Sequence, residues 1–364
     1  STLAEKVHDN RFLRLLCHML QAGYLEDWVY HATLSGAPQG GVASPILSNI
    51  YLHRLDTFIE TVLIPEYTRG ERRAENPAHQ SVTGHIRRAR ARGDRAAVRI
   101  LRKQQRSLPS KDPNDPGYRR LRYIRYADDI LLGFAGPKSE AEQIKQRLAQ
   151  FLRDDLALEL SQDKTLITHA RTQAARFLGY EVTVQHNNRH LIRGRRWANG
   201  TVWLRVPLSV IKEKCVPYLK RGQPAHRNRL VQEDDYTIVA TYGAEYRGIV
   251  QYYLLAGDVH RLTRLKWAME TSMLKTLAAK HRSTVSKMAA KYKAKIETPH
   301  GKRTCFEAVV ERAGRKTLVA RFGGIPLKRQ KVADLIDRPP IRVTHVCKEL
   351  IGRLRKDTCE ICGQ

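Results

Sequence analysis

Apolar residues recur at helical spacing over several stretches of the chain. Phe12, Leu15, Leu16, Met19 and Leu20 predict a helix over residues 11–30. A Gly/Pro loop follows. Ser44-Pro45 then reads as an N-cap with proline at the first helical position. Leu47, Tyr51, Leu55 and Phe58 share one face of the next helix, expected to run to about Leu63 and to be broken by Ile64-Pro65. Two β-prone runs, 121–126 and 130–134, flank Asp128-Asp129 and predict a hairpin with two acids at its tip. Ser139 and Glu142 have capping-box spacing ahead of an amphipathic helix carrying Ile144, Leu148, Phe151, Leu152 and Leu156. Residues 176–206 read as short strands with basic turns. From 235 the pattern is helical. One helix carries Ile238, Tyr242, Tyr246, Ile249 and Tyr253, whose tyrosines 242, 246 and 253 are expected to be buried. Gly257-Asp258 ends it and caps a second, with Leu262, Leu265, Met269, Met273 and Leu277; Ser283 is the expected cap of a third. Pro339-Pro340 marks a joint, and no internal repeat is visible.

Length and charge change this picture in two ways. The 364 residues suffice for two or three domains, and 42% hydrophobic content supports a sizeable core. No apolar run approaches the ~18–20 residues that span a bilayer, and six cysteines make no disulfide framework. A secreted or membrane-spanning protein is disfavoured and a reducing, intracellular setting is expected. The net charge is +29, unevenly spread. Residues 69–125 hold 17 basic and 5 acidic residues, residues 261–356 hold 25 and 7, and the remainder is almost neutral. Two positive segments on a neutral scaffold fit a polyanion such as nucleic acid, because each neutralised phosphate releases counterions. Residues 69–118 look like an inserted basic arm, with Asn76-Pro77 and 112–117 as breakers and a thinly apolar basic helix over about 81–107.

The adjacent carboxylates of Asp128 and Asp129 repel each other, so their site favours cations. Magnesium takes oxygen ligands and shares them readily with substrate phosphates. Two such ions can clamp both oxygens of an in-line displacement at a growing 3′ end. A solvated acidic turn would show the same dipeptide. At the C-terminal end, Cys359 and Cys362 form a CxxC knuckle, two of the four ligands of a usual zinc site. The others could lie beyond the end or be His345 and Cys347, or the pair could be no site at all.

The order of several motifs narrows the reading. Pro38-Gln39-Gly40-Gly41, Ser44-Pro45 and Asn49 come first, followed by Tyr126-Ala127-Asp128-Asp129. Leu160-Ser161 with Lys164-Thr165 come next, and Phe177-Leu178-Gly179-Tyr180 last. This set resembles reverse transcriptases, closely those encoded by bacterial group II introns. The resemblance implies an α+β fold: a partial right-hand polymerase palm, an all-helical thumb (maturase X) domain and a small basic C-terminal region. The implied domains are a palm at 1–205 with the insertion at 69–118, a thumb at 206–300, a DNA-binding region at 301–350 and the start of an HNH endonuclease module at 351–364. It makes Asp128 and Asp129 ligands of two Mg2+ ions, and Lys164 an acid that protonates the leaving pyrophosphate; Lys164 is equally readable as a surface lysine. Pro38, Gln39, Gly40 and Gly41, with Tyr126 and Ala127, would meet the nascent base pair. Phe177, Leu178, Gly179 and Tyr180 would grip the primer.

Downstream, Tyr242 to Ile249, Tyr252-Tyr253, Leu265 to Trp267 and Thr276 to Lys280 resemble the maturase thumb. Arg247, Lys266 and Lys280 are then candidate phosphate contacts. Cys359 and Cys362 would bind Zn2+ in a longer parent. The implied activity is RNA-directed DNA synthesis together with binding of intron RNA for splicing and mobility. The alternative is a splicing maturase that binds RNA without synthesis. Implied partners are intron RNA, an RNA template with DNA primer and target DNA, in a cytoplasmic bacterial ribonucleoprotein, with a homodimer left open. A third palm carboxylate, expected upstream of Gln39, has no match in residues 1–10, where Glu5 and Asp9 lack its aromatic-rich context. This chain by itself is therefore expected not to polymerise, and both termini read as those of a fragment.

Overall fold

The computed structural model describes residues 3–26, 29–32, 43–187, 199–299, 301–312 and 314–333. The chain divides into two units, 1–329 and 330–364, and the elements below belong to the first. Its described residues form two hydrophobic cores.

Helix α1 (Asn10–Gln21) is capped by Asp9, whose carboxylate accepts from the amides of Arg11 and Phe12. It does not reach residue 30. The chain reverses at Gly23 (φ +70°), where a Cβ would sit 2.3 Å from the His31 carbonyl. It continues as the hairpin β1 (Tyr24–Glu26) and β2 (Val29–His31). Helix α2 (Ser44–Phe58) starts one residue earlier than expected, with Ala43 at the N-cap. Its buried stripe is rotated from the expected one and consists of Leu52, Leu55, Ile59 and Leu63, while Tyr51 stays exposed. Pro65 does not break it. The turn Ile59–Leu63 widens into a π-helix, with Ile64 N–H donating to Ile59, and the short α3 (Ile64–Glu66) continues the run. The wider turn accommodates a ring that would clash in a regular helix.

The basic arm is a helical hairpin. Helix α4 (Pro77–Ala91) begins at Asn76-Pro77, because the Asn76 side chain caps it and Pro77 fits the first turn. Gly93 (φ +72°) and Asp94, which caps Ala97, turn the chain into α5 (Arg95–Ser107). Val82, Ile86 and Ala89 form its small buried seam. Next come β3 (Arg120–Tyr126) and β4 (Asp129–Ala135), paired antiparallel as expected, and α6 (Lys138–Leu156). The capping box does not form. The helix starts at Lys138 after Pro137, and Glu142 lies 3.5 Å from Lys138 instead. Ile144, Leu148, Leu152 and Leu156 pack on Leu121 and the α2 stripe to complete the first core.

Strands β5 (Ala175–Phe177), β6 (Tyr180–Val184) and β7 (Val202–Arg205) form an antiparallel sheet. The second core starts beside it with α7 (Leu208–Cys215), the two-residue strands β8 (Leu219–Lys220) and β9 (Gln223–Pro224), α8 (Asp235–Tyr253) and α9 (Thr263–Lys280). Tyr242, Tyr246 and Tyr253 are buried as expected. Asp258 caps no helix with its side chain; it accepts from the Val206 amide at 2.8 Å. Thr284, not Ser283, caps α10 (Val285–Tyr292).

The expectation of an all-helical thumb at 206–300 fails, since β8, β9 and β10 fall within it. Strands β10 (Lys293–Thr298), β11 (Gly301–Arg312) and β12 (Arg315–Gly323) form an antiparallel sheet on the same core, with Phe306 opposite Phe322 and Ala308 opposite Ala320. Period-2 burial of these four residues supplies one apolar face, and α8 covers it. The boundary expected at residue 300 falls in the β10–β11 connection.

Asp235, in the first turn of α8, joins three helices. It accepts from Lys280 Nζ at 2.9 Å, from His281 Nε2 and from the Tyr292 hydroxyl. Burial alone would raise its carboxyl, but the bonds from Tyr292, Lys280 and His281 outweigh burial and lower it to about 2, against 3.8 unperturbed. A depressed carboxyl stabilises above the unfolded value and loses that contribution as pH falls through the folded one. Thermal unfolding of the second core is therefore expected to lose about 2 kcal/mol through this group between pH 4 and 2. Asp235→Asn should flatten the pH dependence by that amount; an unchanged profile would contradict the assignment.

Candidate active site

Tyr126 pairs with Asp129, so β3 and β4 are joined by the two-residue turn Ala127-Asp128. Ala127 takes φ +53°, a left-handed conformation that costs an L-residue about 1–2 kcal/mol. Such turns match the twist of paired strands. What holds this one in place is Arg125. Its Nε and Nη2 donate to the two oxygens of Asp56 at 2.7 and 2.6 Å. Its Nη1 donates to Asn49 Oδ1 at 2.9 Å and to the Ala127 carbonyl at 2.7 Å. Tyr123 adds a bond to Asp56 at 2.8 Å. The hairpin tip is thereby bolted to α2. The Arg125 guanidinium, bonded to Asp56, holds that carboxyl below its usual range; burial and then the Asp56 bond push the Tyr123 phenol up.

Asp128, Asp129 and Tyr126 are exposed. Among the described residues neither acid has an ion-pair partner, since the nearest guanidinium in sequence is engaged with Asp56. Asp129 lines a cleft of about 270 Å³ together with Lys164, Arg176 and the turn Phe177-Leu178-Gly179, with Pro207 and Val210 on a further wall. Lys164 is exposed on a turn held by Thr165, whose amide and hydroxyl both donate to Ser161 O, and by Lys145 Nζ, which donates to Thr165 O. Leu178 and Gly179 both have positive φ, 46° and 71°. Their carbonyls accept from the hydroxyls of Tyr252 at 2.6 Å and Tyr253 at 3.1 Å, and the Tyr180 hydroxyl donates back to Tyr252 O. The end of α8 thus clamps the turn that walls the cleft. Phe177 is half-buried and Tyr180 belongs to the second core.

The remaining candidates are less uniform. Arg247 is exposed. Lys266 is half-buried, 3.7 Å from Glu270. Lys280 is engaged by Asp235 and the Glu233 carbonyl, which gives it a structural task. Pro38, Gln39, Gly40, Gly41, Cys359 and Cys362 lie outside the described residues, as do His345 and Cys347. Asp56 and the Tyr252 and Tyr253 hydroxyls were not anticipated at the site. A carboxylate on α2 next to its apolar stripe, and an arginine just before the acid pair, are the signals that could have pointed to the bracket.

Among the described residues no group of three His, Cys, Asp or Glu side chains could hold a metal ion. Magnesium needs only one or two carboxylates when substrate phosphates complete its octahedron. Two exposed carboxylates with no ion-pair partner among the described residues, on a tip braced by Arg125 beside a cleft, fit that requirement.

Comparison with known proteins adds the following. Residues 94–182 match the family described as reverse transcriptase (RNA-dependent DNA polymerase), and residues 206–324 match type II intron maturase. The chain is 34% identical to the group II intron-encoded protein LtrA of Lactococcus lactis subsp. cremoris over 376 aligned positions, covering 98% of this chain and 61% of that protein. It is 34% identical to the putative COX1/OXI3 intron 1 protein of Saccharomyces cerevisiae, covering 80% of this chain and 36% of that one. It is 31% identical to protein YkfC of Escherichia coli, covering 49% and 40%. The chain thus spans less than two thirds of the length of these relatives.

Proposed function

Because this chain belongs to the family of group II intron-encoded reverse transcriptases and maturases, we propose that it carries the metal-binding tip and primer-end cleft of an RNA-directed DNA polymerase, joined to a maturase domain that binds intron RNA. The observation that carries this reading is the single cleft lined by Asp129, Lys164 and the 177–179 turn. Asp129 in this cleft and Asp128, its neighbour on the hairpin tip, offer oxygen ligands to Mg2+, which when bound supplies charge neutralisation at the reacting phosphates. Lys164, on the same cleft, is the ammonium that gives a proton to the leaving oxyanion. The 177–179 turn, clamped by Tyr252 and Tyr253, sets the position of the primer end. Pro38, Gln39, Gly40 and Gly41 are, by the family resemblance, the residues that meet the nascent base pair. Arg247 and Lys266 contact phosphates; Lys280 acts mainly through Asp235. The partners are intron RNA, an RNA template with DNA primer and target DNA, in a bacterial cytoplasmic ribonucleoprotein. Among the described residues no helix is long and apolar enough to cross a membrane.

Tyr126 provides the test. It is adjacent to the acid pair and 65% exposed, so it can sensitise terbium bound there. Tyrosine-excited Tb3+ emission is expected, displaced by millimolar Mg2+ and lost in D128N/D129N. The same variant should bind a group II intron transcript as the wild type does, while any magnesium-dependent primer extension falls to background. Emission that survives the double substitution would sink the metal assignment. Extension that survives it would overturn the catalytic assignment of the acid pair, whereas transcript binding with no extension in either protein would favour the maturase that binds RNA without synthesis.

A further inference from the structure

The inserted arm is walled by arginine on one face and makes little use of that charge internally. A cleft of about 750 Å³ runs along α5 and is lined by the cations of Arg90, Arg95, Arg99, Arg102, Lys103 and Arg106. Arg95, Arg99, Arg102 and Arg106 are spaced four, three and four residues apart, so they form one row about 16 Å long. None of the six makes an ion pair among the described residues. At the base of the arm the opposite holds. There Arg119 binds Glu140 bidentately at 2.6 and 2.9 Å, and Lys111 approaches Glu75 at 3.5 Å. The one acid in the cleft, Asp94, is occupied in capping α5.

Like charges one turn apart destabilise a helix by a few tenths of a kcal/mol each. A row that keeps four arginines against that cost is suited to a polyanion. We propose that this face of the α4–α5 hairpin docks the sugar–phosphate backbone of an RNA double helix. The choice of RNA over DNA rests on the intron-binding function proposed above. The choice of duplex rests on what the cleft lacks. Among the described residues no aromatic side chain lines it to offer a platform for stacking single-stranded bases. Nor does any described Asn or Gln line it to supply an amide fork for base edges. Charge alone, displayed in a straight row, recognises backbone shape.

The row is also held rigidly, which limits the entropy lost on docking. The two ends of the arm are stitched together by the reciprocal bonds between Arg69 and Arg119, by Asn76 N–H to Ser110 O and by Asp112 N–H to Ala74 O. Gln105 also donates to Thr83 across the hairpin at 2.7 Å. The base of the arm lies one strand length, roughly 20 Å, from the acid tip, and the arm's cleft shares no lining residue with the cleft at Asp129.

The experiment compares the full chain with R95Q/R99Q/R102Q/R106Q. Binding to a 20-base-pair RNA duplex, a DNA duplex of the same sequence and a 20-nucleotide RNA strand is measured against salt. These side chains are exposed, so helicity by circular dichroism should not change. The wild type is expected to prefer the RNA duplex, and the variant to bind it at least 10-fold more weakly at 0.15 M salt. The slope of log affinity against log salt should shrink by about 3 units. An unchanged slope means the row is merely solvated and overturns the proposal. A preference for the DNA duplex or the single strand, lost in the variant, also overturns it by assigning another occupant. If neither protein binds a group II intron transcript, the proposed function fails as well; if both bind it with equal slopes, only the arm proposal fails.

Discussion

Replacing Arg125 by methionine is expected to destabilise the first core by about 3 kcal/mol. The reason is the group left behind. Asp56 is 20% exposed in its side chain and Arg125 12%, so removal of the guanidinium strands a largely buried carboxylate. Four hydrogen bonds disappear together, including the one to the Ala127 carbonyl. Lysine cannot rescue it, because one ammonium cannot form the two parallel bonds to Asp56 and also reach Asn49 and the turn. Removing both partners in R125M/D56L should cost less than the sum of the single substitutions, since no unpaired charge remains. Hydrogen exchange of the β3 and β4 amides would measure each variant. Additive losses would show that the bracket is not a unit. R125K should also weaken terbium emission while leaving both acids in place, because Ala127 is then free to leave its left-handed conformation.

The second large effect is expected at Gly243, inside α8. A Cβ there would lie 2.2 Å from the Arg321 carbonyl oxygen and 3.1 Å from its carbon, in the backbone of β12. Backbone cannot swing aside as a side-chain tip can. Gly243→Ala gains about 1 kcal/mol of helix propensity but forces helix and sheet apart, for a net loss of about 2–3 kcal/mol. Gly248, on the same helix, has nothing within 4 Å of a Cβ. Gly248→Ala should therefore stabilise, by roughly 0.5–1 kcal/mol. Thermal unfolding followed by the fluorescence of Trp203 and Trp267 reports both. Equal signs for the two substitutions would refute the close packing of α8 on β12.

Both predictions concern features invisible to a reading of local pattern, and they mark where that reading stops. Burial of Ile144, Leu148, Leu152 and Leu156, and of Tyr242, Tyr246 and Tyr253, was legible because side chains three or four apart must share a face. The acid-tipped hairpin was legible because two β-prone runs three residues apart can hardly do otherwise than pair. The sheet β10–β12 was missed, although Lys293-Ala294-Lys295-Ile296 alternates, because basic charge outweighed the alternation and its apolar face includes two small alanines.

Sequence by itself determined the family, the apolar stripes of α6 and α8 and the adjacency of the Asp128 and Asp129 carboxylates, all properties of residues close together in the chain. Only tertiary structure decided that Arg125 reaches 69 residues back to Asp56 and that Tyr252 and Tyr253 reach 74 residues back to the Leu178-Gly179 turn. It also decided that Lys164 shares a cleft with Asp129. A hydrogen bond constrains positions in space, and periodicity along a chain carries no record of which distant segment will supply its partner.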